Sequence, residues 1–191
     1  MTKDTRLNLT HKLLVALPSM ADSLFEKSVI FICHHDADGA MGLIINKPKG
    51  DVIISDILLQ IGIDGDIAVA DSHILDGGPV DIDRGFVLHS DDMTLKSKSA
   101  PMIDGVCLSS SKDALETLVS NDDAPSQALL AVGYSGWSGG QLEREIQANA
   151  WIIAESNSEI IFSGQHDEKW AQAIRSLGID PNNLSAIGGT A

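Results

Sequence analysis

"SVIFICHHDADGAMGLIINKP", residues 28–48, is the stretch whose reading decides the fold. Apolar, partly β-branched runs at 29–33 and 43–45 flank the turn residues Asp36-Ala37-Asp38-Gly39, which is the pattern of a β-hairpin. The first run is continuously apolar and does not alternate, so its strand is expected to be covered on both faces. Pro48 has no amide proton to give to a ladder and is expected to end the second strand. A hairpin with a doubly buried strand needs a sheet with cover on each side.

The flanking sequence offers that cover. Ser55 as N-cap and Gly62 past the end bracket a short helix through Ile57, Leu58 and Ile61. Gly77-Gly78-Pro79 reads as a turn before a strand at 85–89. "MIDGVCLSSSKDALETLVS" supplies a strand ending near Leu108, then serines placed to cap a helix through Leu115 and Leu118. A strand at 128–134 precedes a helix at 141–151, whose Leu142, Ile146 and Ala150 share a face at i, i+4, i+8. A strand pair at 151–154 and 160–162 leads to a last helix with Trp170, Ile174 and Leu177 on one side, stopped by Gly178 and Pro181. The expectation is one domain over residues 1–191, with 1–10 a loose N-terminal segment. Its class is an α/β sandwich, α+β by connectivity, in which helices cover a mixed β-sheet core.

A chain of 191 residues buries roughly 70% of the surface its unfolded form exposes, so it needs no covalent staple. Cys33 and Cys107 form no C-x-x-C pair and read as reduced thiols. The net charge is −14, from 27 acidic and 13 basic side chains spread along the chain. A field of that sign repels phosphate backbones and anionic lipid, and Lys96 and Lys98 are too few to reverse it, so no direct nucleic-acid contact is expected. The apolar run at 13–17 is shorter than the roughly 7–15 residues of a secretory core. With no stretch near the roughly 18 residues of a membrane span, the protein is expected to be soluble and cytoplasmic.

Gly136-Trp137-Ser138-Gly139-Gly140 spells G-x-S-x-G, the nucleophile elbow of a serine hydrolase, with a strand before it and a helix after it. His166 is the sole histidine downstream of Ser138, and no aspartate lies between them. A glutamate such as Glu143, Glu145, Glu155 or Glu159 would have to orient the imidazole. The simpler reading is a capping box, Ser138 with Gln141, for which Ser138→Ala costs roughly 1 kcal/mol. His34-His35-Asp36-x-Asp38 gathers metal-capable side chains, yet neighbours on a strand point to opposite faces and no bidentate glutamate follows. No metal site and no cofactor are expected. Tyr134, Trp137 and Trp151 gather much of the aromatic content of a chain that is 4% aromatic, which marks a recognition surface.

"LLVALPSM", "DGAMGLIINKP", "GGPV" followed by "RGFVLH", "GYSGWSGGQLEREI", "NAWI" and "LGIDPNNLS" occur in that order from Leu13 onward, and together they resemble the YqgE/AlgH family of bacterial proteins. The resemblance implies a single α/β sandwich domain with no established catalytic activity. The AlgH name comes from a proposed role in regulating alginate production, which implies an indirect regulator of gene expression. The family pattern G-Y-x-G-W-x-x-G-Q-L-E falls on Gly133, Tyr134, Gly136, Trp137, Gly140, Gln141, Leu142 and Glu143, with Ser138 at an unspecified position. Relatives often close with glycine-histidine-alanine where this chain has Thr190 before its last alanine. A threonine cannot take over an acid–base or ligand role from that histidine.

The expected function is therefore a binding or regulatory module, monomeric, that recognises a protein or small molecule through a shallow cleft. Its candidate residues are Asn46, Pro48, Gly77, Gly78, Pro79, Tyr134, Gly136, Trp137, Gln141 and Glu143, which belong to loops and element ends where recognition usually resides. The competing expectation is a small serine hydrolase using Ser138 and His166.

Overall fold

The computed structural model describes residues 8–21, 23–60, 62–63, 73–92, 99–110, 112–119 and 124–184. At its centre β2 (Val29–His35) and β3 (Gly39–Ile44) form the antiparallel hairpin, with Ile30 opposite Ile44 and His35 opposite Ala40. Val29, Phe31 and Cys33 join one apolar cluster while Ile30 and Ile32 join another. The strand is thus buried on both faces, as its unbroken apolar run requires. Outside β2 lie β1 (Lys12–Ala16) and then β10 (Trp151–Glu155). The apolar run weighed as a secretory core is therefore mostly a central strand, with Leu13, Leu14 and Val15 fully buried.

On the other side of β3 stands β9 (Ala128–Ser138), followed outward by β6 (Val80–His89), β8 (Val106–Ser109) and β7 (Ala100–Ile103). Two shorter strands, β4 (Pro48–Ile53) and β5 (His73–Asp76), pair with each other, and β5 also pairs with β9. All pairs are antiparallel except β5 with β9. The architecture is α+β, a curled sheet with helices. The described helices are α1 (Ile54–Gln60), α2 (Lys112–Thr117), α3 (Gln141–Gln147), α4 (Ser158–Phe162) and α5 (His166–Ser176). Ile161 of α4 and Ile174 of α5 pack with Phe31, Leu142 of α3 packs with Ile30, and Leu58 of α1 and Ala114 of α2 pack with Leu130.

Several expectations need correction. Pro48 opens β4 instead of simply closing a strand. The first residue of a strand is one place where a missing N–H is tolerated. α1 begins at Ile54, so Ser55 lies within its first turn; Gly62 does follow its end, with φ +74°. The strand at 85–89 starts five residues earlier, at Val80. The single strand expected near Leu108 is a hairpin, β7 and β8, turned at Asp104 and Gly105 with φ +73°. α3 stops at Gln147 because Asn149 takes φ +56°, a left-handed position that ends a helix. Residues 160–162 are helical, not extended: the Asn157 side chain accepts from the Ile160 amide at 2.8 Å and caps α4. α5 carries Trp170 and Ile174 as expected, and Gly178 with φ +74° follows it. Lys96, Lys98, Ile61, Thr190 and most of segment 1–10 lie outside the described residues.

Candidate functional site

The site follows from one topological feature. Leu130, Ala131 and Val132 of β9 pair with β5, and the same residues pair with or lie along β6. A strand has only two edges, so β5 and β6 flank β9 on opposite sides. The connection Gly77-Gly78-Pro79 must therefore cross over β9. It does so in backbone contact: the Gly77 amide donates to the Val132 carbonyl at 2.8 Å, and the Ile44 amide donates to the Gly77 carbonyl at 3.0 Å. A Cβ on Gly78, at φ +144°, would lie 2.3 Å from the Tyr134 carbonyl carbon, and one on Gly133, at φ +72°, 2.3 Å from the Gly78 carbonyl oxygen. Both positions demand glycine for space and for conformation.

Beyond the crossing, β6 pairs with β9 only as far as the Val80–Tyr134 rung, while β3 pairs with the next stretch through Met41–Gly136 and Gly39–Ser138. A groove of about 540 Å³ opens there, within the roughly 300–1,000 Å³ typical of ligand sites. Met41, Phe86 and Tyr134 give it apolar and aromatic surface, Gly136 and Trp137 line it along β9, and His34, Asp36 and Asp38 stand at the hairpin tip. Tyr134 meets Phe86 edge to face at 6.0 Å, and the Arg84 guanidinium sits 5.0 Å from the Phe86 ring centre. Arg84 also borders a neighbouring depression with Asp81 and Asp83. His34 Nε2 lies 2.8 Å from Asp36 Oδ2, and Asp36 Oδ1 accepts from the Asp38 and Gly39 amides. These bonds, that from His34 first, hold the Asp36 carboxyl below its ordinary value.

Gly136 has no such constraint as Gly78 and Gly133. Its φ is not positive, and an added Cβ would meet nothing closer than the Tyr134 ring at 3.4 Å and Val80 Cγ2 at 3.8 Å. Those are ordinary van der Waals distances. A Cβ would therefore fit here against Tyr134 and Val80, so the fold does not require glycine at this position on the groove.

The profile of a known family, described as AlgH-like, matches residues 13–182. The chain belongs to the AlgH-like family. Similar proteins include a UPF0301 protein of Caulobacter vibrioides, 40% identical over 183 residues (96% of this chain, 94% of that one), and one of Ruegeria pomeroyi, 46% identical over 186 residues (97% and 100%). The solution structure of the AlgH protein from Pseudomonas aeruginosa superposes with a TM-score of 0.75 at 34% identity and covers 100% of both chains. A crystal structure of a Corynebacterium diphtheriae protein shares the fold, with a TM-score of 0.69 at 19% identity over 94% of this chain and 91% of that one.

Within this AlgH-like fold the remaining candidate residues, apart from Trp137, are not in the groove lining. Asn46 is buried, accepting from the Val29 amide at 2.7 Å and donating to the Lys27 carbonyl at 2.9 Å. Pro48 pairs with Leu75, beside the crossing to which Gly77, Gly78 and Pro79 belong. The segments 46–48, 77–79 and 133–143 meet through backbone: the Asp76 amide donates to the Lys47 carbonyl, and Gly78 packs against Gly133 and Tyr134. Trp137 is 7% exposed, so little of it reaches the groove. Its indole and that of Trp151 both donate to Glu145 Oε2 at 2.8 Å, and Gln141 donates to Glu145 Oε1. Glu143 accepts from His35 Nε2 at 3.2 Å, while His35 Nδ1 accepts the Leu9 amide. Because Nδ1 is an acceptor, His35 is the Nε2–H tautomer.

Ser138 and His166 do not come together. Ser138 pairs with Gly39, at the hairpin end of β9. His166 stacks edge-on with His73, at the other end of the strand, where the next residue, Ile74, pairs with Leu130. Eight residues of strand separate those levels, on the order of 25 Å at a rise of about 3.3 Å each. Nor is Ser138 the N-cap of α3: that position is Gly140, with φ 72°, and Ser138 is still in β9. Half of the capping box survives, because Gln141 Oε1 accepts from the Ser138 amide at 3.1 Å. Among the described residues, no serine, cysteine or lysine lines the groove. Cys33 is buried, and desolvation pushes its thiol up to about 12, far from a reactive thiolate.

Three contributors escaped the sequence reading. Arg84 and Phe86 come from β6, in a segment read as turn and strand, and only the crossing brings them beside Tyr134. Lys169 is fully buried, with its ammonium donating to the Ile45 carbonyl at 2.7 Å and the Ile161 carbonyl at 2.8 Å. It ties α5 to the chain next to the crossing. No composition signal separates such a lysine from a solvated one. Among the described residues no group of three or more histidine, cysteine, aspartate or glutamate side chains is placed to hold a metal, and no helix is long and apolar enough to cross a membrane.

Proposed function

We propose that this AlgH-like chain is a cytoplasmic recognition module that takes a protein or small-molecule ligand in the groove beside Gly136. Its regulatory effect, including any on gene expression, passes through that partner without direct contact to nucleic acid. It works as a monomer and without a resident cofactor. The observation that carries this reading is Gly136 itself. The motif at Gly133 to Gly140 contains four glycines; Gly133 and Gly140 have positive φ, and a Cβ on Gly139 would lie 2.5 Å from the Ala37 carbonyl oxygen. Gly136 alone among them is free of both constraints, and it opens onto an aromatic floor. Binding is favoured over hydrolysis because Ser138 and His166 occupy opposite ends of β9.

The test is a nuclear magnetic resonance screen of the isotope-labelled protein against a mixed library of aromatic and charged fragments. Ligands are expected to shift Met41, Tyr134 and Gly136, and Gly136→Val is expected to abolish those shifts. Hits confined to other surfaces and unchanged by Gly136→Val would refute the proposal, as would covalent labelling of Ser138 by a fluorophosphonate.

A further inference from the structure

We infer that the occupant of the groove is an arginine-bearing segment of a partner protein, its guanidinium directed to the Asp36 and Asp38 carboxylates and its apolar neighbours laid on Met41 and Tyr134. This rests on the recognition reading and adds the chemistry of the ligand. Three observations lead there. The walls are acidic: Asp36 and Asp38 line the groove, Asp81 and Asp83 stand beside it, and among the described residues Arg84 is the one arginine or lysine in either lining. An anionic ligand would have to approach these carboxylates against a chain of net charge −14, whereas a cation is drawn in.

The floor is the second observation. It is aromatic, and it already holds a guanidinium, since Arg84 lies over Phe86 at 5.0 Å. Planar guanidinium groups stack on aromatic faces better than ammonium groups do and pair with carboxylates through two hydrogen bonds. The Tyr134 ring, set edge-on to Phe86, extends that surface toward the hairpin tip. Finally, the carboxylate at the tip is held in place: Asp36 is fixed by His34 and by two backbone amides, which also favour its charged form. A pre-oriented anion loses less freedom on binding a cation than a mobile one does.

The experiment titrates the isotope-labelled protein with a short blocked peptide of alternating leucine and arginine, and separately with its glutamate counterpart. The arginine peptide is expected to shift Met41, Tyr134 and Gly136. Its affinity falls roughly ten-fold when Asp36→Asn and Asp38→Asn are combined, substitutions that keep the Oδ1 acceptor of the turn. The distant exposed acid Glu159 serves as control, and Glu159→Gln changes affinity by less than about two-fold. Shifts scattered over the acidic surface, with equal weakening by Glu159→Gln, would mean general charge attraction only and would overturn the inference. Occupation of the groove by the glutamate peptide, or by neutral fragments alone, would overturn the arginine assignment and leave the recognition reading standing. If no compound of any charge enters the groove, both fall.

Discussion

Two neighbouring stretches of β9 use the same residue for opposite ends. At the crossing, Gly133 packs against Gly78 so closely that no side chain fits on either, and both adopt backbone angles that other residues resist. Three residues on, Gly136 sits in an ordinary conformation on the groove, where a Cβ would make only ordinary contact with Tyr134 and Val80. The first glycine is part of the architecture that lets one connection pass over a strand. The second leaves a groove empty. In a motif dense with glycine, identity alone does not distinguish structure from function, whereas φ and the nearest backbone atom do.

The comparison breaks most readily at the crossing. Gly133→Ala should destabilise the protein by roughly 3–5 kcal/mol in denaturant unfolding, the range of severe backbone strain and overpacking. A loss below about 1 kcal/mol would show that the crossing can relax and that its glycines are not forced. Lys169→Met should cost roughly 2–4 kcal/mol, because it removes the donor to two buried carbonyls while keeping most of the volume. One of them, on Ile45, adjoins the residue whose amide meets Gly77. Unchanged stability would mean that water or another group takes over those carbonyls. The smallest effect belongs to Ser138→Ala, within about 0.5 kcal/mol, since the hydroxyl is exposed and the Gln141 bond to the Ser138 amide remains. A loss near the roughly 1 kcal/mol of a true N-cap would restore the capping box.

What was legible in the sequence was whatever local pattern controls. The central hairpin and α5 follow from apolar runs, turn residues and helical periodicity, whereas Gly77-Gly78-Pro79, read as a turn, is a connection that crosses over β9. Residues 160–162 did not, since three apolar residues carry no period, and the Asn157 cap that decides their conformation lies upstream of the run. Pro48 misled for a related reason, because it stops one strand or starts another with the same chemistry. The groove was only half visible. Tyr134, Gly136 and Trp137 belong to one motif, but Asp36, Arg84 and Phe86 reach them through a crossing and a strand register that have no local signature. The G-x-S-x-G spelling was the clearest catalytic signal in the chain, and it places Ser138 as the last residue of β9, at the end of the strand far from His166.

The central claim is that Gly136 keeps a ligand groove open without being needed by the fold. It is tested most directly by recording the nuclear magnetic resonance spectrum of Gly136→Val beside wild type, each with and without the fragment mixture. The account predicts a native-like spectrum for the variant and the disappearance of the ligand shifts at Met41 and Tyr134. An unfolded spectrum would place Gly136 with Gly133 among the architectural glycines, and a native spectrum that keeps those shifts would show that the groove is not where the protein recognises its partner.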